Sequence, residues 1–311
     1  MSATHAAATA GSSMQAAASV RSLAHGVSQI FFQRNAWTGL LILAAFVVAD
    51  WRMALLVLVG LVASTLGGVL LRAGPDDISL GLHGFCGALV GAASFAALGS
   101  QGWAWLVAAV GGVLCAPVTA AFAWLFGTRP LARFGLPTTT APFCTVAGVA
   151  YALTSRVHVD TTPLHVTDGT SGSLLRSLLT NVSEVVLVSS VWGGALILLG
   201  LFVASWKVGL AAVLGSVVGS LCALALGEST SSIAEGLDGY SGVLTAIALA
   251  VVFLRSSAAS WVYAAVGAAV TAVVTVLIND LTGGPAYTWP YILTTWVLLV
   301  VATAVPALRR P

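Results

Sequence analysis

The stretch Gly-Leu-Pro-Thr-Thr-Thr-Ala-Pro-Phe, residues 135–143, returns near the C-terminus as Gly-Gly-Pro-Ala-Tyr-Thr-Trp-Pro-Tyr, residues 283–291. Each copy holds two prolines five residues apart with a threonine between them, Thr140 or Thr288, and opens an apolar run of membrane-spanning length. Because proline lacks an N–H and clashes with the preceding turn, we expect each copy to interrupt a helix and free backbone carbonyls. In a bilayer such carbonyls are tolerated only inside protein or beside a water-filled path. The two copies therefore predict a binding site between two repeats, and hence a transport function.

Composition predicts an integral membrane protein. Of the 311 residues, 59% are hydrophobic and 7% are charged, and the mean hydropathy is +1.01, whereas soluble domains carry about 25% charged residues. The net charge of +2 favours no nucleic-acid partner. The four cysteines have no paired spacing, and nucleotide-binding or zinc-protease motifs are missing. We therefore expect no metal site, no cofactor and no enzymatic activity.

A constant offset relates the two halves of the sequence. The segment 81–89, Gly-Leu-His-Gly-Phe-Cys-Gly-Ala-Leu, matches 236–244, Gly-Leu-Asp-Gly-Tyr-Ser-Gly-Val-Leu, at an offset of 155 residues, which also pairs Gln29 with Glu184. Thr140 and Thr288 are only 148 residues apart, so we expect one connection or helix to be shorter in the second copy. Chance similarity of apolar helices would not keep glycines in step, so the pattern indicates a duplication.

Each half predicts five apolar spans, preceded by a shorter, more polar segment that we interpret as a re-entrant helix, 22–34 or 176–189. The spans are 36–50, 53–71, 80–98, 103–126 and 136–154, then 191–205, 208–226, 235–253, 260–281 and 287–307. An odd number of spans per half forces the halves into opposite orientations. The predicted fold is an all-α integral membrane protein with two inverted five-helix repeats, each with a re-entrant pore helix, and about ten transmembrane helices.

The predicted organisation is a flexible cytoplasmic N-terminus over 1–25, a first transmembrane repeat over 26–154, an external linker over 155–175 and a second repeat over 176–307. With both termini cytoplasmic, eight basic residues fall inside and three outside, as the positive-inside rule favours. The eight are Arg21, Arg72, Arg129, Arg133, Lys207, Arg255, Arg309 and Arg310. The sequence thus predicts a multi-pass protein of the cell (inner or plasma) membrane.

Three matched pairs of side chains are candidates for lining a path for a small neutral solute. They are the aromatic pair Phe85 and Tyr240, the hydroxyl pair Thr140 and Thr288, and the side-chain oxygens of Gln29 and Glu184. The aromatics lie among glycines that permit close helix packing, although core or lipid-facing packing is the alternative. Membrane threonines often bond back to their own helix. An ionisable group at membrane depth is a functional candidate by default, with helix capping as the alternative for the glutamate.

Three motifs resemble the signatures of the urea transporter family, over about residues 26–307. They are Ser-Gln-Ile-Phe-Phe-Gln-x-Asn-x-x-Thr-Gly from Ser28, Gly-Leu-x-Gly-aromatic-x-Gly-x-Leu in both halves, and Leu-Pro-x-x-Thr-x-Pro-Phe from Leu136. The resemblance implies a passive urea channel that is a homotrimer in membrane lipid, with one narrow filter per protomer between inverted repeats. It implies a slot of Phe32, Phe85 and Tyr240, walls of Leu89, Val185 and Leu244, and acceptor oxygens from Gln29, Glu184, Thr140, Thr288 and nearby carbonyls.

The chemistry of urea suits such a filter. Urea is planar and uncharged, with four N–H bonds and one carbonyl, and each polar group left unmatched in a dry site costs about 1–3 kcal/mol. Aromatic faces can hold the plane while a line of oxygens accepts the N–H groups. Two alternatives stay open: a channel for another small neutral solute, such as a short amide or ammonia, and a proton-coupled transporter that uses Glu184 or Asp238.

Overall fold

The computed structural model describes residues 19–159, 169–282 and 284–311. Within these ranges the chain forms helices and turns and no strand, which confirms the all-α class. It divides into two compact units, one of Met1–Leu125 with Thr138–Asp160 and one of Phe126–Pro137 with Thr161–Pro311. Residues 1–18 of the predicted N-terminal segment and 160–168 of the predicted linker lie outside the described residues.

The helices of the first unit follow the predicted order of spans. They are α1 (Val20–Ser28), which continues as a 3-10 turn (Gln29–Phe31), α2 (Ala36–Ala49), α3 (Trp51–Leu70), α4 (Pro75–Ser79), α5 (Phe85–Leu98), α6 (Gly102–Phe126, ending at the border of the unit) and α8 (Ala141–Leu153), with a 3-10 turn at Ser155–Val157. Side-chain caps fix two of the starts. The Asn35 side chain accepts from Thr38 N–H at 3.2 Å, and Asp50 accepts from Arg52 N–H at 2.7 Å, so each satisfies a donor that its helix leaves unpaired.

The second unit repeats this order. Its helices are α7 (Arg129–Ala132), α9 (Thr170–Glu184), α10 (Val191–Ala204), α11 (Trp206–Leu226), α12 (Thr230–Glu235), α13 (Tyr240–Ile247), which continues as a π-helix (Ala248–Val252), α14 (Ala258–Thr282) and α15 (Trp289–Ala302). The predicted re-entrant segment 176–189 is a longer helix, α9, that begins six residues earlier and ends at Glu184.

Apolar helices occupy all ten predicted spans, but few are long. Within the described residues, four helices are each long and apolar enough to cross a membrane: α3, α6, α11 and α14. The pair made of α1 with its 3-10 turn and α2, bent by 77° at their break, forms a fifth candidate together. The remaining apolar helices have 10–17 residues. Membrane embedding is thus supported, and the number of complete crossings stays a prediction.

We expected each proline-rich segment to interrupt a helix, but in the structure each segment instead leads into the start of one. Pro142 and Pro290 lie in the first turn of α8 and α15, where the N–H groups have no partner within the helix and proline is well tolerated. The helices therefore begin at Ala141 and Trp289, whereas the predicted spans begin at residues 136 and 287. The expectation of an interrupted helix was wrong because the sequence does not show on which side of the prolines the helix forms.

Left-handed backbone conformations recur at matched positions of the two units. Four pairs of residues have φ between 46° and 90°: Phe32 with Leu187, Arg72 with Gly227, Gly81 with Gly236, and Thr139 with Tyr287. The first three pairs are 155 residues apart and the last is 148 apart, which are the two offsets found in the sequence. The duplication is therefore one of backbone geometry as well as of residue type.

Two local events explain the change of offset. In α6 the run Trp105 to Gly111 matches Trp261 to Gly267 of α14, an offset of 156, so one residue has been added before α14. The π-helix lies in this interval, and a single π-turn within an α-helix accommodates one extra residue. The connection that follows has ten residues between Phe126 and Pro137 but two between Thr282 and Pro285. The prediction of a shorter connection is confirmed.

Candidate functional site

In the first unit, the 3-10 turn that follows α1 holds the amide candidate. Gln29 donates from Nε2 to the Leu80 carbonyl at 3.0 Å, which leaves Oε1 as the acceptor of that amide. Phe32 comes directly after the end of this 3-10 turn, in a left-handed conformation (φ 61°), and its side chain is half-buried. The chain thus turns sharply between an acceptor and an aromatic ring.

In the second unit, Glu184 is the last residue of α9 and is 8% exposed. Its Oε2 accepts from Ser189 Oγ at 2.7 Å. Val185 follows and is 2% exposed, so the predicted wall residue is buried beside the carboxylate. No group of three or more His, Cys, Asp or Glu suited to a metal ion occurs in the part of the chain that the structure describes.

A serine precedes the acceptor residue in both units and holds the turn together. Ser28 Oγ lies 2.6 Å from Gln33 O and accepts from Asn35 N–H at 3.4 Å. Ser183 Oγ lies 2.9 Å from Ser190 O and accepts from Ser190 N–H at 3.3 Å. These hydroxyls satisfy backbone groups that the end of a helix leaves unpaired. They therefore fix the direction in which the following residue, Gln29 or Glu184, leaves the helix.

The aromatic candidates begin matched helices, and their wall residues lie one turn further on. Phe85 is half-buried at the start of α5, and Leu89 is fully buried. Tyr240 is 9% exposed at the start of α13, and Leu244 is fully buried. Residues four apart lie on one face of a helix, so each unit places an aromatic ring and a leucine on the same face.

The glycine framework brings these helices very close to their neighbours. A Cβ on Gly60 of α3 would lie 2.0 Å from the Gly87 carbonyl of α5, and a Cβ on Gly215 of α11 would lie 2.4 Å from Gly242 O of α13. No side chain fits at either contact, so the backbones touch, as small residues at membrane helix contacts allow. The prediction that these glycines permit close helix packing is confirmed within each unit.

The proline segments are tied to the same two helices through their left-handed residues. In the second unit the Tyr240 hydroxyl donates to the Tyr287 carbonyl. In the first unit Cys86 Sγ lies 3.8 Å from the matched carbonyl, that of Thr139. Another carbonyl of the segment, that of Pro137, accepts from Trp296 Nε1 at 2.8 Å. Several carbonyls that we expected to be free thus already have donors.

Thr140 and Thr288 occupy equivalent positions at the start of α8 and α15 and are 1% and 2% exposed. In the first unit α5 contacts α1, its 3-10 turn and α8; in the second, α13 contacts α9 and α15. Each unit therefore gathers an aromatic ring, an amide or carboxylate and a threonine around one central helix. Their role in binding a solute stays a prediction.

Comparison with known proteins identifies the family. The family model described as urea transporter matches residues 20–303. The chain belongs to the urea transporter family. It is 29% identical over 303 residues to urea transporter 1 of Rattus norvegicus and 28% identical over 307 residues to urea transporter 1 of Ovis aries, with 92% of this chain and 77% of each relative covered. The resemblance carried by the motifs is confirmed, and the protein is a membrane transporter and not an enzyme.

Sequence reasoning missed three residues that form hydrogen bonds next to the candidate acceptors of this urea transporter family member. Ser28 and Ser183 were visible as a matched pair directly before the two acceptors, and that signal could have identified them. Asn181 had no such signal, because its matched residue is Gly26. It is fully buried one turn before Glu184, where its Nδ2 donates to the Oγ atoms of two α11 serines, Ser216 at 2.9 Å and Ser220 at 2.8 Å.

Proposed function

We propose that the protein is a passive channel that conducts urea across the cell membrane. The observation that carries the proposal is the duplicated cluster, in which each unit gathers an aromatic ring, a side-chain oxygen and a threonine around one close-packed helix. Family membership supports urea as the permeant, since the similar proteins from Rattus norvegicus and Ovis aries are named urea transporters.

The proposed filter takes one cluster from each of two inverted repeats. Phe32, Phe85 and Tyr240 stack on the plane of urea, and the apolar residues Leu89, Val185 and Leu244 complete the walls. Four side chains accept the N–H groups: Gln29, Glu184, Thr140 and Thr288. The orientation of two of them is supported within their units, because Gln29 uses its amide N–H on Leu80 and Glu184 is fixed by Ser189.

The proposed mechanism exchanges water contacts for protein contacts as urea enters. Each N–H group that loses water without finding an oxygen would raise the barrier by about 1–3 kcal/mol, which slows passage by about 5- to 150-fold. Ions lose far more solvation energy and find no compensating shell of ligands in such a slot. Binding at the filter stays weak, because tight binding would slow release.

The proposed assembly is a homotrimer with one pore per protomer, multi-pass in the cell (inner or plasma) membrane, with both termini cytoplasmic. The family resemblance supports the trimer. The excess of basic residues on one predicted side, eight against three, supports the orientation.

Stopped-flow urea flux into proteoliposomes tests the proposal, with matched pairs of variants. Thr140→Val and Glu184→Leu each remove an acceptor and should lower flux by about 5- to 150-fold. Thr140→Ser and Glu184→Gln keep an acceptor and should retain most of the flux. Collapsing a pH gradient should leave the rate unchanged, because no proton moves with urea.

Equal flux in Thr140→Val and Thr140→Ser would remove the threonine from the filter. A rate that depends on the pH gradient and is lost in Glu184→Gln would favour proton coupling instead. If correctly folded wild-type protein conducts no urea but conducts a short amide, the architecture serves a different neutral solute.

A further inference from the structure

Basic side chains are concentrated at one end of the second unit. Five of the chain's 12 basic residues lie in segments that the fold brings together there: Arg129, Arg133, Arg255, Arg309 and Arg310. The three segments 126–137, 253–261 and 302–311 contain no Asp or Glu. The sequence predicts all five arginines on the cytoplasmic side, where they would form one positively charged patch at the membrane surface.

Hydrogen bonds hold these segments against one another. The Arg310 guanidinium donates to the carbonyls of Phe134 and of Gly135, the latter at 3.0 Å. The Arg255 backbone N–H donates to the Arg309 carbonyl at 2.8 Å. The C-terminal residues are therefore anchored between two connections, and their side chains have a defined position.

The guanidinium groups of this patch differ in how far they are already engaged. Arg310 is committed to the backbone carbonyls, and Arg133 lies over the Phe134 ring, with its Cζ 4.6 Å from the ring centroid. Arg255 and Arg309 are exposed, and the contact of Arg309 is a 3.5 Å bond from Nε to the Pro306 carbonyl. Because both guanidinium groups are exposed, they are available to an anionic partner outside the chain.

An apolar groove begins directly beside Arg255 and Arg309. It is a shallow, open groove of about 460 Å³, lined by the start of α14 and by the chain end, including Ala258, Val262, Tyr263, Val266, Val305 and Leu308. Val262 is 67% exposed and Val266 is 51% exposed. The Tyr263 hydroxyl donates to Leu298 O at 2.8 Å, so only its ring faces outward. The groove follows α14 for about 12 Å, at about 1.5 Å per residue.

Among the described residues, the matched place of the first unit differs at two positions that form the patch and the groove. Gly99 stands where the second unit has Arg255, by the offset of 156 that relates α6 and α14. Val157, the match of Val305, packs against the core cluster that contains Leu56 and Leu98. At these two positions the second unit therefore departs from the first.

We propose that this place binds an anionic phospholipid, with the phosphate on Arg255 and Arg309 and one acyl chain along the α14 groove. Arginine binds phosphate oxygens through paired N–H groups, and basic patches next to apolar helices recognise anionic head groups. Charge complementarity favours the lipid, since its phosphate carries the negative charge that the two exposed arginines attract.

Native mass spectrometry of the detergent-purified full chain tests this proposal. The protein is titrated with phosphatidylglycerol and, in parallel, with phosphatidylcholine of the same acyl chains. Arg255→Gln/Arg309→Gln should weaken phosphatidylglycerol binding about fivefold per arginine, and so about 25-fold together. Arg156→Gln, an exposed arginine of the first unit, is the matched control and should change nothing. Arg255→Lys/Arg309→Lys should keep most of the binding.

A second variant tests the groove without touching the charges. Val262→Trp fills it and should lower phosphatidylglycerol occupancy while the number of protein copies in the assembly stays the same. Four results would overturn the proposal: equal binding of the two lipids, no loss in the double glutamine variant, displacement of the lipid by equimolar inorganic phosphate, or a change of copy number in Val262→Trp with unchanged lipid occupancy. The last result would make the groove a contact between copies.

Discussion

Gly194→Ala tests whether the contact between α9 and α10 positions the Glu184 carboxylate. A Cβ at Gly194 would lie 2.0 Å from the Leu179 carbonyl of α9, whereas ordinary contacts begin at 3.4 Å. Helix α9 would therefore have to retreat by about 1.4 Å, and Glu184 lies five residues further along it. Overpacking of this kind costs about 1–3 kcal/mol, of which up to about 1 kcal/mol is offset by the better helix propensity of alanine.

The expected result is a less stable protein with a displaced acceptor. The Tm, followed by size-exclusion chromatography after heating, should fall by about 2–6 °C. Urea flux should fall by about 5- to 150-fold, because one N–H group loses its oxygen. Gly148→Ala is the control, since no atom lies within 4 Å of the Cβ it would add to α8. Its Tm should be unchanged or slightly higher, because alanine favours a helix.

If Gly194→Ala had the same urea flux and the same Tm as the wild type, the reasoning would be refuted, because the contact would then not determine where α9 ends. Reduced Tm with normal flux would separate stability from the filter and would remove α10 from the set of elements that position Glu184.

Three further predictions concern single hydrogen bonds. Ser183→Ala does not change residue 184 but removes the hydroxyl that bonds to the Ser190 carbonyl and so helps to orient Glu184. Urea flux should therefore fall at least fivefold, and the Tm should fall by an amount that corresponds to about 1 kcal/mol of stability. Tyr240→Phe keeps the ring and leaves the buried Tyr287 carbonyl without that donor, which should destabilise the protein by about 1–3 kcal/mol in thermal melts. Trp296→Phe removes the 2.8 Å bond to Pro137 O and should lower the Tm, whereas Trp124→Phe, 74% exposed, should not.

The fold class and the duplication could be predicted because they depend on features that extend over many residues. Apolar runs indicate that the chain is helical and membrane-embedded. The constant offset between the halves is supported by many residue pairs, so a misplaced helix boundary does not change it. Helix starts were harder: Pro142 was expected to interrupt a helix but lies in its first turn. Proline is found both where a helix is interrupted and in the first turn of a helix. The two cases differ in the backbone conformation before Thr140, which the sequence does not reveal.

The candidate site was predictable where both copies carry it. Gln29 with Glu184 and Phe85 with Tyr240 stand out because each pair keeps its spacing. Interactions that differ between the copies could not be inferred. Asn181 is matched by Gly26, and its contacts with α11 serines depend on a packing arrangement found only in the second unit.

The duplicated left-handed residues indicate which part of the design the two units share. A non-glycine residue in this conformation is strained by about 1–3 kcal/mol and persists only where its surroundings enforce it. Both units keep such a residue just after the acceptor, at Phe32 and Leu187, and just before the threonine, at Thr139 and Tyr287. The side chains at these four positions differ, so the shared requirement is the turn itself.

Because the two units share the turn and not the side chains, the same backbone conformation can be stabilised by different hydrogen-bond donors. The same left-handed carbonyl receives a thiol, from Cys86, in the first unit and a phenol hydroxyl, from Tyr240, in the second. A thiol is a weak donor and a phenol a stronger one, so this one hydrogen bond is stronger in the second proline segment than in the first. Cys86→Ala should therefore lower the Tm less than Tyr240→Phe does; an equal loss would mean that the helix contacts, and not these donors, hold both segments.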